Sequence, residues 1–199
     1  MRVSLRAVIL AATWLVVTPG RASAEWQLKP FLGITFGGGT SLVDLEHAAG
    51  HPNVAVGVSG VLLGDIVGIE ADLGDAPGFF QSGDQHLVVR SNATTLTGNI
   101  VLTLPKPITE FTLRPYFVGG GGLMHANIED FLGVLQVTSA LPAMDVGGGV
   151  TGFLTGRVGV NWDVRYFRSV GGRDEGRGFS FGGEQLSFWR ANMGLAIRY

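Results

Sequence analysis

Nine charged residues share one property: each falls at an alternate position in a stretch whose other alternate positions are mostly apolar. They carry both signs and comprise Lys29, Glu70, Asp72, Arg114, Asp145, Asp163, Arg165, Arg190 and Arg198. Such a set can form a network of ion pairs, or it can line a polar path for a solute. An unpaired charge removed from water costs several kcal/mol, which favours the network. The expected pairs join Arg114, Arg165, Arg190 and Arg198 to Glu70, Asp72 and Asp163.

Two histidines close in sequence raise the question of a metal site. His47 and His51 are four residues apart beside Glu46, and that spacing holds a metal ion when it lies on a helix. Gly50 opposes a helix at this point, and the residue order differs from H-E-x-x-H. A solvated loop is therefore the favoured interpretation, and we predict no metal site.

Three further patterns bear on catalysis, cofactors and modification. His125 and Ser139 are the residue types of a lipid hydrolase, but no motif of that kind surrounds them, so an interface histidine is favoured. Residues 147–152 match G-x-G-x-x-G, yet a turn and an alternating stretch follow where a nucleotide site needs a helix. Asn92-Ala93-Thr94 is a glycosylation sequon only in a eukaryotic secretory route. We predict no catalytic residue and no cofactor.

Eight stretches of the chain show two-residue alternation, and six of them carry the nine charges. Alternation with this period predicts a β-strand whose two faces have unlike surroundings. The predicted strands are residues 26–37, 53–63, 66–74, 92–104, 111–124, 143–154, 157–167 and 188–199. Phe31 is an exception, because it falls on the polar face of the first stretch.

Two features decide which face points outward. The polar faces carry glycine, threonine, asparagine and charges of both signs, and the mature chain has only two lysines, which suits a narrow interior better than a solvated surface. The links between strands alternate between long (38–52, 75–91, 125–141, 168–185) and short (64–65, 105–110, 155–156). That layout is typical of outer-membrane barrels. We predict an all-β, eight-stranded, antiparallel up-and-down transmembrane β-barrel; a soluble secreted lipocalin-like barrel, with its apolar residues turned inward, is the alternative.

The start of the chain has the pattern of a secretory signal. Arg2 and Arg6 precede an apolar stretch, and Ala22-Ser23-Ala24 fits a cleavage site, which predicts a signal peptide over 1–24 and a barrel domain over 25–199. Cleavage after Ala24 leaves 11 basic and 16 acidic residues, and this acidic balance argues against a nucleic-acid partner. The chain has no cysteine, so disulfides and thiolate sites are excluded.

Three segments carry a resemblance to a known family. "LRPYFVGGGGLM" (113–124), "DVGGGVTGFLTGRVGVNWDVRYF" (145–167) and the terminal "FWRANMGLAIRY" (188–199) resemble the small eight-stranded outer-membrane barrels, the outer-membrane-protein-A-like and opacity-type "porin family". The resemblance implies a Gram-negative outer membrane and insertion by the barrel-assembly machinery. It also implies that the last strand is the assembly signal, carried by Trp189, Met193, Leu195, Ile197 and Tyr199.

The functional expectation that follows is non-enzymatic. We expect a monomer, with an interior plugged by paired charges, that serves envelope integrity, surface interaction or adhesion through four long extracellular loops. Expected partners are outer-membrane lipids, lipopolysaccharide and an extracellular surface partner. Arg168, Arg173 and Arg177 are candidates for contact with lipopolysaccharide phosphates or with a host or phage partner, but a solvated loop is the favoured interpretation of residues 168–185. A narrow porin-like conduit for small or hydrophobic solutes is the alternative, and a lipid A-modifying barrel enzyme is a third class.

Overall fold

The computed structural model describes residues 24–40, 52–79, 88–105, 113–130, 136–170 and 186–199. The predicted signal peptide (apart from Ala24), Glu46, His47, His51, Arg173 and Arg177 lie outside these described residues. Within the described ranges, no helix is long and apolar enough to cross a membrane.

Eight strands form one closed antiparallel barrel in which each strand pairs with its sequence neighbours and the last strand pairs with the first. The fold prediction of an eight-stranded up-and-down barrel is therefore confirmed. The strands are β1 (Glu25–Thr40), β2 (Asn53–Leu63), β3 (Val67–Pro77), β4 (Val88–Thr103), β5 (Leu113–Asp130), β6 (Gln136–Phe153), β7 (Val158–Ser169) and β8 (Leu186–Arg198). We call the end at which β1, β3, β5 and β7 finish the upper rim, and the opposite end, which holds both termini of the barrel, the lower rim.

The third long link, between β5 and β6, was predicted wrongly. It was expected to be a long loop over 125–141, but β5 and β6 are 18 residues each, and only residues 131–135 separate them. The two strands stay in register from Leu113↔Gly152 up to Glu129↔Gln136. The barrel wall is therefore taller on this side than on the others.

The apolar faces of the strands point away from the barrel axis. Leu32, Ile100 and Trp162, from three different strands, are each more than half exposed, at 58%, 59% and 56%. Their sequence neighbours are buried, and β3 and β7 show the same alternation of more exposed and buried positions over most of their length. Because successive side chains of a strand point to opposite faces, the polar positions line the interior.

The barrel closes along β1 and β8, from Gln27↔Arg198 to Thr40↔Leu186. The register shifts between Phe36 and Gly39, and Gly37 has a φ of 60°, a value that favours glycine. At the lower end of this seam the Tyr199 amide donates to the Trp26 carbonyl at 3.0 Å. The last residue of the chain therefore takes part in closing the barrel.

Phe31 is buried because glycine makes room for it. Its ring reaches the backbone of β2 at Gly57, where an added Cβ would collide with the ring and with the Leu73 carbonyl. Gly60, on the outward face of the same strand, has nothing within 4 Å of an added Cβ. The exception in the alternation of β1 is therefore a large interior side chain matched to a glycine on the adjacent strand.

We predict that Gly57→Ala destabilises the barrel by about 1–3 kcal/mol, because the collision involves backbone that cannot give way. Gly60→Ala is the matched control and should leave the free energy of unfolding within about 0.5 kcal/mol of the wild type. Urea unfolding of the refolded protein in detergent micelles, followed by tryptophan fluorescence, measures both. Equal effects of the two substitutions would contradict the assigned register.

Candidate functional site

Seven ionisable side chains meet inside the barrel at mid-height, and we call this group the charge layer. It comprises Lys29, Glu70, Asp72, Asp145, Asp163, Arg165 and Arg190, which come from β1, β3, β6, β7 and β8. None of the seven residues is more than 6% exposed. The structure brings together seven of the nine charged residues singled out in the sequence.

Arg165 is the centre of the charge layer. Its guanidinium binds Glu70 through two hydrogen bonds, Nη1 to Oε1 at 2.5 Å and Nη2 to Oε2 at 3.2 Å. Nη2 also donates to Asp163 at 3.0 Å, and Nη1 lies 3.7 Å from Asp72 and 3.9 Å from Asp145. One cation therefore faces all four carboxylates, and it links β7 to the opposite wall of the barrel at β3.

Asp163 is the most fully bonded of these carboxylates. Besides Arg165, it accepts hydrogen bonds from the Tyr116 hydroxyl at 2.9 Å, from Asn192 at 2.7 Å and from Asn161 at 3.3 Å. Hydrogen bonds from several donors offset the loss of hydration that burial of a carboxylate entails. This side chain therefore ties β5, β7 and β8 together.

Arg190 is held by one carboxylate and two aromatic rings. Its Nη2 donates to Asp72 at 2.6 Å, and its guanidinium carbon lies 4.7 Å from the Phe31 ring centroid and 4.6 Å from that of Phe167. A guanidinium between two ring faces gains cation–π attraction without losing its carboxylate partner. An added Cβ at Gly74 would collide with Nη1 of Arg190, so this glycine is needed for the arrangement.

Lys29 occupies the lower part of the charge layer without a direct ion pair in the described structure. Its ammonium donates to the Thr151 hydroxyl at 3.1 Å and lies 4.6 Å from the centroid of the Tyr116 ring. Cation–π contact and a hydroxyl acceptor replace part of the hydration that the ammonium loses. The layer thus holds three cations and four carboxylates.

Asp145 is the least supported carboxylate of the layer. One oxygen accepts a hydrogen bond from Asn99 at 3.3 Å and lies 3.9 Å from Arg165, whereas its Oδ1 has no hydrogen-bond partner among the described residues. The layer has one more carboxylate than it has cations, and Asp145 is the carboxylate without a close cationic partner.

Arg114 and Arg198 lie at the lower rim and do not join the layer. Arg114 donates to the carbonyls of Gly64 and Asp65 in the β2–β3 turn, at 3.5 and 3.2 Å. Arg198 pairs with Glu25 at 3.2 Å, and its side chain is 25% exposed. Their expected pairing with Glu70, Asp72 or Asp163 is not observed, because both residues lie too close to the strand ends.

Apolar side chains close the interior above and below the charge layer, a feature that sequence reasoning missed. The upper apolar cluster comprises Ala55, Ala76, Phe79, Ala93, Met124, Leu141, Ala143, Phe167, Leu186 and Phe188. The lower apolar cluster comprises Val61, Leu63, Val101, Tyr116 and Val118. The signal was present in the sequence as large apolar residues on otherwise polar faces, of which Phe31 was the only one noticed.

The upper apolar cluster is built around stacked rings. The centroids of Phe167 and Phe188 are 5.2 Å apart with the rings nearly parallel, and Phe79 meets Phe188 edge-on at 4.9 Å. Because Arg190 stacks on Phe167, the apolar cluster and the charge layer are in direct contact. Near the lower apolar cluster, a cavity of about 10 Å³ bounded in part by Lys29 and Arg114 has room for a single water molecule.

The remaining candidate residues stay apart from this interior. His125 is exposed and pairs in register with Ala140, and the side chain of Ser139 lies outside the described residues. Residues 147–152 lie near the end of β6, and a turn and β7 follow them instead of a helix. Asn92 lies on β4 with its amide 3.5 Å from Asp75. In the described part of the chain, no group of three or more His, Asp or Glu side chains is arranged to hold a metal ion.

The residues expected to form the assembly signal share the outward face of β8. Trp189, Met193 and Leu195 are 41%, 55% and 51% exposed, and Tyr199, just after the strand, is 81% exposed. Ile197 is on the same face and partly exposed. These side chains form an apolar strip beside the seam at which the barrel closes.

This fold and filled interior define a class of protein, the small eight-stranded barrels. Comparison with solved structures finds the same fold in Neisserial surface protein A, with a TM-score of 0.63 and 12% identity, covering 88% of this chain and 97% of that one. The N-terminal β-barrel domain of Pseudomonas aeruginosa OprF matches with a TM-score of 0.51 and 18% identity, over 88% and 97% of the two chains. The outer-membrane protein OprG from Pseudomonas aeruginosa matches with a TM-score of 0.53 and 12% identity, over 89% and 97%.

These similarities establish the fold. The chain has the architecture of the small eight-stranded outer-membrane β-barrels, as the resemblance in the sequence implied. No protein-family model matches the chain, and no curated protein matches it either.

We predict that two isosteric substitutions in the charge layer have very different effects. Asp163→Asn should destabilise the barrel by about 3–5 kcal/mol, because it removes a buried partner of Arg165. Asp145→Asn should cost less than about 1 kcal/mol, because Asp145 makes one weak hydrogen bond and carries the excess charge of the layer. Unfolding free energies in micelles measure both; equal losses would contradict the proposed roles of the two carboxylates.

Proposed function

We propose that this protein is a bacterial outer-membrane β-barrel whose interior is filled and whose work is done by its surfaces, in envelope integrity or surface interaction. The observation that carries the proposal is the combination of an exposed apolar belt with a buried charge layer.

The outward face supports a location within a bilayer. Large apolar side chains more than half exposed occur around the barrel, among them Leu32, Leu96, Phe117 and Trp162. A soluble protein rarely exposes contiguous apolar patches of more than a few hundred Å², and a belt around the whole barrel far exceeds that. Lipid is the environment in which such a belt is favourable.

Aromatic residues at the two ends of the belt support the same location. Trp26 and Tyr199 are exposed at the lower rim, and Tyr166 packs on Trp189 near the upper rim with centroids 5.0 Å apart. Tyrosine and tryptophan favour the interfaces of a bilayer, where one part of the ring is apolar and the other hydrogen-bonds to water. The polar residues Asp75 and Thr94, which bond each other at 2.6 Å on the outward face, lie above the belt.

The interior argues against a conduit. The side chains of Arg165, Glu70, Asp72 and Asp145 are 0% exposed, so solvent does not reach the middle of the barrel. Eight strands give an interior that side chains nearly fill, and ion pairs and stacked rings occupy it here. A role in passage of solutes would require these contacts to break.

The functional surfaces that remain are the belt and the upper rim. The belt contacts membrane lipid, and the upper rim carries the links in which surface partners and lipopolysaccharide would be bound. The strip on β8 is the segment that the barrel-assembly machinery would recognise during insertion. We propose a monomer, because β1 and β8 pair with each other, so neither terminal strand of the described barrel offers a free edge to which a second copy could add a strand.

We predict that Leu32→Arg destabilises the barrel in lipid bilayers by about 2–4 kcal/mol, because an arginine in the middle of the belt must leave water. Leu154→Arg is the control: Leu154 is in the β6–β7 turn at the lower rim, 77% exposed, and the same change there should cost at most about 1 kcal/mol. The measurement is urea unfolding of protein folded into phospholipid vesicles. Failure of the wild type to fold into vesicles, with full solubility in buffer, would instead indicate the soluble barrel.

We also predict that the wild-type protein gives no steady ion conductance in planar bilayers and no swelling of proteoliposomes in isosmotic sugar solution. The physical reason is the solvent-inaccessible charge layer between two apolar clusters. A general porin in the same membranes serves as the positive control. Reproducible single-channel steps from the purified wild type would favour the conduit and contradict the filled-interior proposal.

A further inference from the structure

A groove of about 300 Å³ interrupts the apolar belt on the outer face of β7, β8 and β1. Its walls are large apolar side chains, and its floor is a small side chain together with strand backbone. The lining residues are Leu32, Gly33, Ile34, Trp162, Ala191, Asn192 and Met193.

The groove exists because Ala191 is much smaller than its outward neighbours. In register, Ala191 lies between Val164 on β7 and Ile34 on β1, and the next outward row is Trp162, Met193 and Leu32. The Asn192 side chain points to the interior, where it donates to Asp163, and a Cβ added at Gly33 would point there too. Only the backbone of these two residues therefore reaches the groove. The lining of the groove is therefore mainly apolar.

The groove leads upward to a polar anchoring point. Directly above it, the rings of Tyr166 and Trp189 pack at 5.0 Å and mark the bilayer interface. Arg168 follows two residues after Tyr166 on the same outward face of β7 and pairs in register with Ser187. It is exposed, and none of the described residues forms an ion pair with it.

We propose that this groove and Arg168 together bind one molecule of lipid A from the outer leaflet, with an acyl chain in the groove and a phosphate on the Arg168 guanidinium. Four residues separate Arg168 from Val164, which flanks the groove, or about 13 Å along a strand. A lipid whose phosphate is bound by Arg168 can therefore extend an acyl chain past the aromatic pair, toward the middle of the bilayer, and place that chain in the groove. Arginine suits this role because its fork of donors matches the oxygens of a phosphate.

The choice of lipid A rests on the proposed location in the outer membrane, since the upper rim then faces the leaflet that contains lipopolysaccharide. The charge of Arg168 requires an anionic headgroup, and the groove requires an acyl chain. Lipid A offers both, and its phosphates lie at the level of the glycolipid headgroup. An anionic phospholipid shares part of this chemistry, and the experiment separates the two.

The test uses the full-length mature protein in nanodiscs of phosphatidylethanolamine that contain either lipid A or phosphatidylglycerol. Native mass spectrometry of the released protein counts the lipid that stays bound. The wild type should retain one lipid A, and Ala191→Leu, which fills the groove, should reduce that population about tenfold. Arg168→Gln should reduce it about tenfold as well, because a charge-assisted hydrogen bond is lost.

Two matched controls make the test specific to this face. Ala71→Leu makes the same change on the outward face of β3, and Arg157→Gln removes an exposed arginine at the lower rim; both should retain lipid A like the wild type. Equal retention of phosphatidylglycerol and lipid A, or equal losses in variants and controls, would overturn the proposed site while leaving the membrane location intact. Failure of the wild type to enter nanodiscs would overturn both proposals.

Discussion

Ionic side chains inside a narrow barrel have to satisfy one another, and the structure of this protein depends on that constraint. Arg165 is fully buried and faces four carboxylates, two of them at hydrogen-bond distance. Removing one partner of a buried ion pair leaves an uncompensated charge, which costs far more than the net contribution of the pair. The contact between Arg165 on β7 and Glu70 on β3 therefore fixes the relative height of two opposite walls, and Asp163 and Arg190 extend the same constraint to β5 and β8.

Glycine is the counterpart of these large interior side chains. An added Cβ would collide with Arg165 at Gly147, with Arg190 at Gly74 and with the Phe31 ring at Gly57. In a strand exposed to water, glycine only weakens the sheet. Inside this barrel these three glycines provide the volume into which a guanidinium or a ring fits, so they and the large buried side chains depend on one another.

Alternation in the sequence predicted the eight strands and their faces, because lipid and the interior impose opposite polarity on successive residues. It did not predict height along the barrel, so Arg198 was expected in the network, although it lies at the lower rim. Nor did it predict that β5 extends up to Asp130 and that β6 already begins at Gln136. A strand that leaves the bilayer has similar surroundings on both faces, so its sequence no longer alternates. The upper apolar cluster was missed because an apolar residue on a polar face looks like an irregularity until its neighbours in space are known.

The order of the interior layers is the basis for proposing that the surfaces carry the function. The charge layer lies between the upper and lower apolar clusters, so its ion pairs are removed from bulk water and act in a medium of low dielectric constant. A solute crossing the barrel would have to separate stacked rings and then displace buried ion pairs, both without compensation from water. The strands β7 and β8, which Asp163 and Asn192 join inside the barrel, also carry Val164 and Ala191 on the outward face. The network inside therefore sets the relative position of the two strands that form one side of the groove and that carry Arg168.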